Sequence, residues 1–205
     1  IMLKNVSLKF TLIIFTVGFV LVVFPIMAIP LTLLLEYKLN GKYRFSRYFI
    51  ALYLAYLNTN KLVESDLLNY KIYFDNSKSI KLINFIEGII KEPLYFLYQF
   101  FMSNLGLSFS VFLFLTTFLC YTLIFKSFDR IFERESNFQK ILAIVIISFF
   151  FELFNISAHL LRQFIASAIM LYAISMNQPK RTVTIAIIAS LFHSSVLLYL
   201  PFLLF

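Results

Sequence analysis

Charge is what this chain has least of. Only 14% of its 205 residues are Asp, Glu, Lys or Arg, against roughly 25% in soluble domains. Tryptophan is absent and glycine occurs four times. With 61% hydrophobic residues and a mean hydropathy of +0.88, the composition excludes an ordinary soluble domain and is that of an integral membrane protein. The single cysteine, Cys120, lies in an apolar run, so no intramolecular disulfide can form. No Gly-rich phosphate loop, HExxH or CxxC occurs, and two histidines alone make a poor metal site. Neither a metal nor another cofactor is expected. Internal repeats and low-complexity linkers are also missing, which leaves residues 1–205 as one membrane domain.

What the chain does have is long apolar runs rich in phenylalanine, with 27 Phe in all. Barrel strands would need short alternating segments, so the expected fold is all-α: a polytopic transmembrane helical bundle of about five to six spans. A crossing takes about 20 residues. The first candidate runs from Phe10 to Leu35 without a charge; it is too long for a signal-peptide core and lacks a small-x-small cleavage site. The second runs from Leu94 to Phe125, where Asn104 and Gly106 divide a short aromatic helix from a spanning helix beginning near Leu107. Ile141 to Ser157, Gln163 to Met176 and Thr182 to Phe205 complete the set, and Tyr48 to Leu57 is a marginal helix.

The loops give an orientation. Residues 36–47 carry Lys38, Lys42, Arg44 and Arg47 against Glu36 alone, so this loop is expected on the cytoplasmic side. Alternate crossings put residues 126–140, with Lys126, Arg130, Arg134 and Lys140, on the same side, together with Lys180 and Arg181. The segment from Asn58 to Glu92 balances five Lys with five acids and is assigned outside, as an extracytoplasmic loop over residues 58–93 containing an amphipathic helix. The turn at His159 and Arg162 falls outside too. Lys4 and Lys9 argue against this orientation, but they are two against four. Topology accounts for the net charge of +8 without a nucleic-acid partner.

Against this apolar background, His159, Arg162, Gln163 and His193 stand out. A charged side chain in a bilayer costs about 2.5–3.5 kcal/mol on insertion scales, so it faces a protein interior, a wet cavity or the interface. If the helix continues through the turn, His159, Arg162 and Gln163 share one face at i, i+3, i+4, with Glu152 further back. Arg162 has two readings of equal weight: a fork of donors for diphosphate oxygens, or a side chain snorkelling to the headgroups. His193 lies roughly 16 Å of helix beyond Arg181. It reads as a packing histidine bonded to Ser194, Ser195 or a neighbouring helix, or as a proton acceptor or sugar-binding donor. In ESDLLNYKIYF, Asp66, Tyr70 and Tyr73 fall on one side of a helix, as sugar-binding or interfacial surfaces require. In KEPLYFLYQFFMSNLG, Pro93 suits a first helical position and Glu92 suits the positive end of the helix dipole, where capping accounts for it as well as catalysis does.

The order of these segments, SDLLNY, EPLYFLYQFFMSNLG, AHLLRQFIASAIMLYAI and ASLFHSSVLLYLP, resembles the EpsG/Wzy-type family of bacterial polysaccharide repeat-unit polymerases over roughly residues 50–203. The resemblance implies a multi-pass protein of the bacterial inner membrane. It further implies that the protein polymerises undecaprenyl-diphosphate-linked oligosaccharides by glycosyl transfer on the outer face, among membrane lipid and alongside other polysaccharide assembly proteins. In that chemistry Arg162 would receive the departing diphosphate. Asp66, Glu92, His159 and His193 are candidate proton acceptors in no fixed order, and Gln163, Tyr70 and Tyr73 are candidate substrate contacts. Family members are longer, and Ile1 precedes a plausible initiator Met2, so the sequence is expected to be an amino-terminal portion. A flippase for the same glycans would want the same arginine, although no paired second half is visible. A membrane acyltransferase using His193, or a non-catalytic membrane subunit, are the remaining classes.

Overall fold

A computed structural model describes residues 25–38, 46–79 and 92–199, with isolated positions at 12, 15, 16, 18 and 19. All regular structure among the described residues is helical: α1 Pro25–Lys38, α2 Ser46–Thr59, α3 Ser65–Asn76, α4 Pro93–Asn104, α5 Phe109–Ile131, α6 Asn137–Ser148, α7 Phe151–His159, α8 Leu161–Ser175 and α9 Pro179–Ser190, with 3-10 turns at Ser77–Ser79 and Ser194–Tyr199. Most of the expected first span, Phe10 to Leu35, lies outside the described residues. So do the second half of the outer loop and the final residues up to Phe205.

The central post is α5. Its 23 residues reach about 34 Å, enough to cross the hydrocarbon. Among the described residues it is the one helix long and apolar enough to cross unaided, and α6 with α7 would make a second if counted together. Packed around α5 are α2 and α8, and α9 packs on α8. Small residues allow the close approaches: Ala51 and Ala55 on α2, and Ala166, Ala173, Ala186 and Ala189 at the α8/α9 seam, are all fully buried. A polar staple ties three helices, with Asn58 Nδ2 on α2 donating to Thr117 Oγ1 of α5 at 2.7 Å and to the Ser157 carbonyl of α7 at 3.1 Å. Buried where no water competes, it fixes the register of these helices.

The expected division at Asn104 and Gly106 is present. Asn104 is the last residue of α4 and donates to the Phe100 carbonyl, Gly106 turns the chain at φ 78°, and Ser108 caps α5 through the Val111 amide. The marginal helix at Tyr48–Leu57 is the full helix α2. Two expectations need correction. The run from Ile141 to Ser157 is not one helix: it begins at Asn137, where Ser136 and Gln139 form a capping box, and bends by 52° between α6 and α7. At the turn expected around His159 and Arg162 the helix breaks, with Leu160 at φ −121°, ψ 52°, so the face that a continuous helix would share is not formed. The last run starts earlier, with Pro179 in the first turn, and stops at Ser190, so His193 lies at a break rather than within a helix.

Candidate functional site

Three separated segments meet at one carboxylate. Glu92 Oε2 accepts from Arg162 Nη1, and Glu92 Oε1 lies 2.5 Å from His193 Nδ1. Glu92 precedes α4, Arg162 is in the first turn of α8, and His193 follows α9. A backbone bond from the Leu94 amide to the Leu191 carbonyl, 3.1 Å, holds the start of α4 against the end of α9. Early termination of α9 is therefore what presents His193 to Glu92.

Glu92 does not cap α4 with its side chain. Its backbone is in the left-handed region, at φ 55° and ψ 52°, a conformation that costs a residue with a Cβ about 1–2 kcal/mol. Capping is thus replaced by another role: the carboxylate is turned inward to the ion pair. The Glu92 side chain is 7% exposed, whereas Arg162 and His193 keep 36% and 25%. The carboxylate is the buried anchor, and the two cationic or potentially cationic groups face the accessible side.

Aromatic rings frame the guanidinium. Arg162 Cζ lies 5.7 Å from the Tyr70 ring centroid and 6.0 Å from that of Tyr95, and these two rings meet edge to face at 5.8 Å. Gln99 Nε2 fastens α3 to α4 through the Tyr70 carbonyl at 2.9 Å. Buried Arg162 Nε, the Tyr95 hydroxyl and Gln99 Oε1 have no hydrogen-bond partner among the described residues. Buried polar atoms are normally satisfied, so this end of the molecule retains unspent hydrogen-bonding capacity. Sequence reasoning missed Tyr95 and Gln99. Their i, i+4 spacing on the EPLYFLYQ helix, one turn after a left-handed glutamate, was the available signal.

The other sequence candidates are placed apart from this cluster. With the helix broken at Leu160, His159 is half-buried without a side-chain hydrogen bond among the described residues, and Gln163 and Glu152 are exposed. The shared face of His159, Arg162 and Gln163 is therefore not formed. On α3, Tyr70 is buried with Leu67 and Phe74, while Asp66 and Tyr73 are exposed, Tyr73 meeting Phe96 edge to face at 6.3 Å. The expected single face splits, because Tyr70 sits on its boundary. Nearby, Lys61 Nζ donates to the Phe154 carbonyl at 2.5 Å and lies 3.8 Å from that ring's centroid. Burial pulls its pKa down from 10.5 to about 8.

A family model described as the EpsG family matches residues 44–205, which includes every residue of the cluster. The chain belongs to the EpsG family. EpsG proteins form a membrane family of polysaccharide synthesis, and the apolar α5 fits that setting. No curated protein matches the chain, and no solved structure does. Among the described residues no group of three His, Cys, Asp or Glu could hold a metal. A guanidinium offers a fixed charge for a diphosphate, and an imidazole backed by a carboxylate has the arrangement of a general base.

Proposed function

We propose that this EpsG-family protein polymerises undecaprenyl-diphosphate-linked oligosaccharide repeat units by glycosyl transfer on the outer face of the bacterial cytoplasmic membrane. The observation that carries the reading is the shared carboxylate, which brings a partly exposed guanidinium and a partly exposed imidazole to one place from residues 70 and 101 positions away. A hydroxyl of one lipid-linked glycan attacks the anomeric carbon of another. The bond from that carbon to the diphosphate breaks, and its electron pair leaves with undecaprenyl diphosphate.

Negative charge gathers on the leaving group, so a fixed cation stabilises the transition state more than the ground state. Arg162 takes that role. The hydroxyl proton goes to His193: Glu92 at Nδ1 favours the tautomer protonated there, which leaves Nε2 to accept. Glu92 orients the imidazole, and a diphosphate on Arg162 relieves the carboxylate of one partner. His159 and Asp66, outside the cluster, are assigned no step. Exposed Tyr73 and Gln163 are assigned to sugar contact, since a phenol ring and an amide suit a glycan, and buried Tyr70 is assigned to holding the Arg162 guanidinium in place. The reading includes one membrane domain of five to six spans, with α6 and α7 as one bent crossing and residues 58–93 outside.

Transport of the same glycans is the second reading, favoured by the 52° bend between α6 and α7, since broken helices line transport sites. Deleting the gene and restoring it with wild type or variants tests the first. Wild type is expected to restore the glycan ladder; Arg162→Ala inserts but makes no polymer, and Arg162→Lys makes some. A normal ladder from Arg162→Ala sinks the assignment. Purified protein that moves lipid-linked glycan between leaflets without lengthening it favours transport.

A further inference from the structure

A cavity of about 1030 Å³ lies at the other end of the helices that carry the Glu92 cluster. Ten residues of α8, about 15 Å, separate Arg162 from Tyr172 on the cavity wall, and α9 has Arg181 at the cavity and His193 past its far end. Loop charge makes this the cytoplasmic end. Five cations line the cavity: Arg47, Lys126, Arg130, Arg134 and Arg181. Orientation in the membrane accounts for their abundance but not for their convergence, from three segments, on one space.

Three carboxylates also line it, Asp129, Glu133 and Glu135, and they do not neutralise it. Asp129 is bound on two sides by Arg47, with Nε–Oδ2 at 2.8 Å and Nη2–Oδ1 at 2.7 Å. Among the described residues no carboxylate is within ion-pair distance of Lys126, Arg130, Arg134 or Arg181. Arg130 is already oriented, its Cζ 4.6 Å from the Tyr172 ring centroid and its Nη2 3.3 Å from the Tyr172 hydroxyl. An arginine stacked on a ring loses less freedom on binding, and its fork matches phosphate oxygens.

We propose that this cavity binds a phosphate-bearing anion, held by Arg130, Arg134 and Arg181 with Lys126, and that this site is separate from the one at Glu92. The chemistry is shared by a lipid phosphate headgroup and by a soluble phosphate or diphosphate. The proposal stands without the polymerase reading, since it rests only on the cavity and its cations.

The test titrates the full chain in zwitterionic detergent with inorganic diphosphate and, separately, with short-chain phosphatidylglycerol. At least one probe is expected to bind saturably, weakening with added salt. Arg130→Gln with Arg181→Gln should weaken that binding at least about tenfold, while Arg162→Gln retains it. Saturation that Arg162→Gln leaves intact supports the site: by diphosphate alone it identifies a soluble ligand, and by phosphatidylglycerol alone a headgroup; saturation lost in Arg162→Gln belongs to the Glu92 cluster and overturns the proposal. Arg181→Gln alone, on an exposed side chain, repeats the test if the double variant does not fold. Saturation by neither probe, or binding unchanged in the Arg130 and Arg181 variants, overturns the proposal.

Discussion

Two arginines, each bound to acidic partners, mark the two ends of this bundle, and they are held in opposite ways. Arg47 is 6% exposed and saturated: Asp129 takes Nε and Nη2, and Glu36 takes Nη1 while also accepting from Ser46. Arg162 is 36% exposed, shares the Glu92 carboxylate with His193, and has a buried Nε with no hydrogen-bond partner among the described residues. The first arrangement joins α1, α2 and α5 and leaves its guanidinium nothing to offer. The second leaves charge and donors for something else. Residue type is thus a poor guide to function in an apolar bundle; what separates a tie from a site is how much of the cation's bonding is already used.

The comparison can be broken most forcefully at Arg162. Arg162→Ala is expected to lower glycan transfer by at least roughly 10²-fold, the scale of losing a transition-state donor, while stability falls by less than in Arg47→Ala, because buried Glu92 keeps His193 as a partner. Initial transfer rates and denaturation of the purified variant check both. His193→Gln should cost about 10²–10⁴-fold in transfer. A variant that transfers at the wild-type rate would make His193 a packing residue. Arg47→Ala should show the converse signature: about 3–5 kcal/mol of stability lost, because the Glu36 carboxylate stays buried without the guanidinium.

Smaller effects sharpen the same contrast. Asn58→Ala removes a buried donor shared by Thr117 and Ser157, and should cost about 1–3 kcal/mol in chemical denaturation. Lys61 gives a pH test. Its folded pKa of about 8 is below its ordinary 10.5, so between these values the unfolded chain binds more protons. Stability should therefore rise as pH goes from 8 to 10, and the rise should shrink in Lys61→Met, read by thermal midpoint.

Much of the fold was written locally. Pro93, Asn104, Gly106 and Ser108 are punctuation whose chemistry acts within a turn, and each acts where the sequence puts it. The polar residues set in apolar runs led to Arg162 and His193. What was not legible depends on distant neighbours. No breaker residue marks the bend at Phe149 and Phe150, so an apolar run read as one helix is broken there without a local signal. Glu92 looked like a cap because first-turn acids usually are; only its left-handed backbone and a partner 101 residues away redirect it. Periodicity grouped Asp66 with Tyr70, and the packing of α3 on α4 and α5 separated them.

The most direct measurement supplies purified protein with undecaprenyl-diphosphate-linked repeat units and follows both glycan length and release of undecaprenyl diphosphate. Wild type should yield the two products together, and Arg162→Ala, still folded at the assay temperature, should yield neither. Undiminished lengthening by Arg162→Ala, or glycan crossing the bilayer with no lengthening by wild type, contradicts the account.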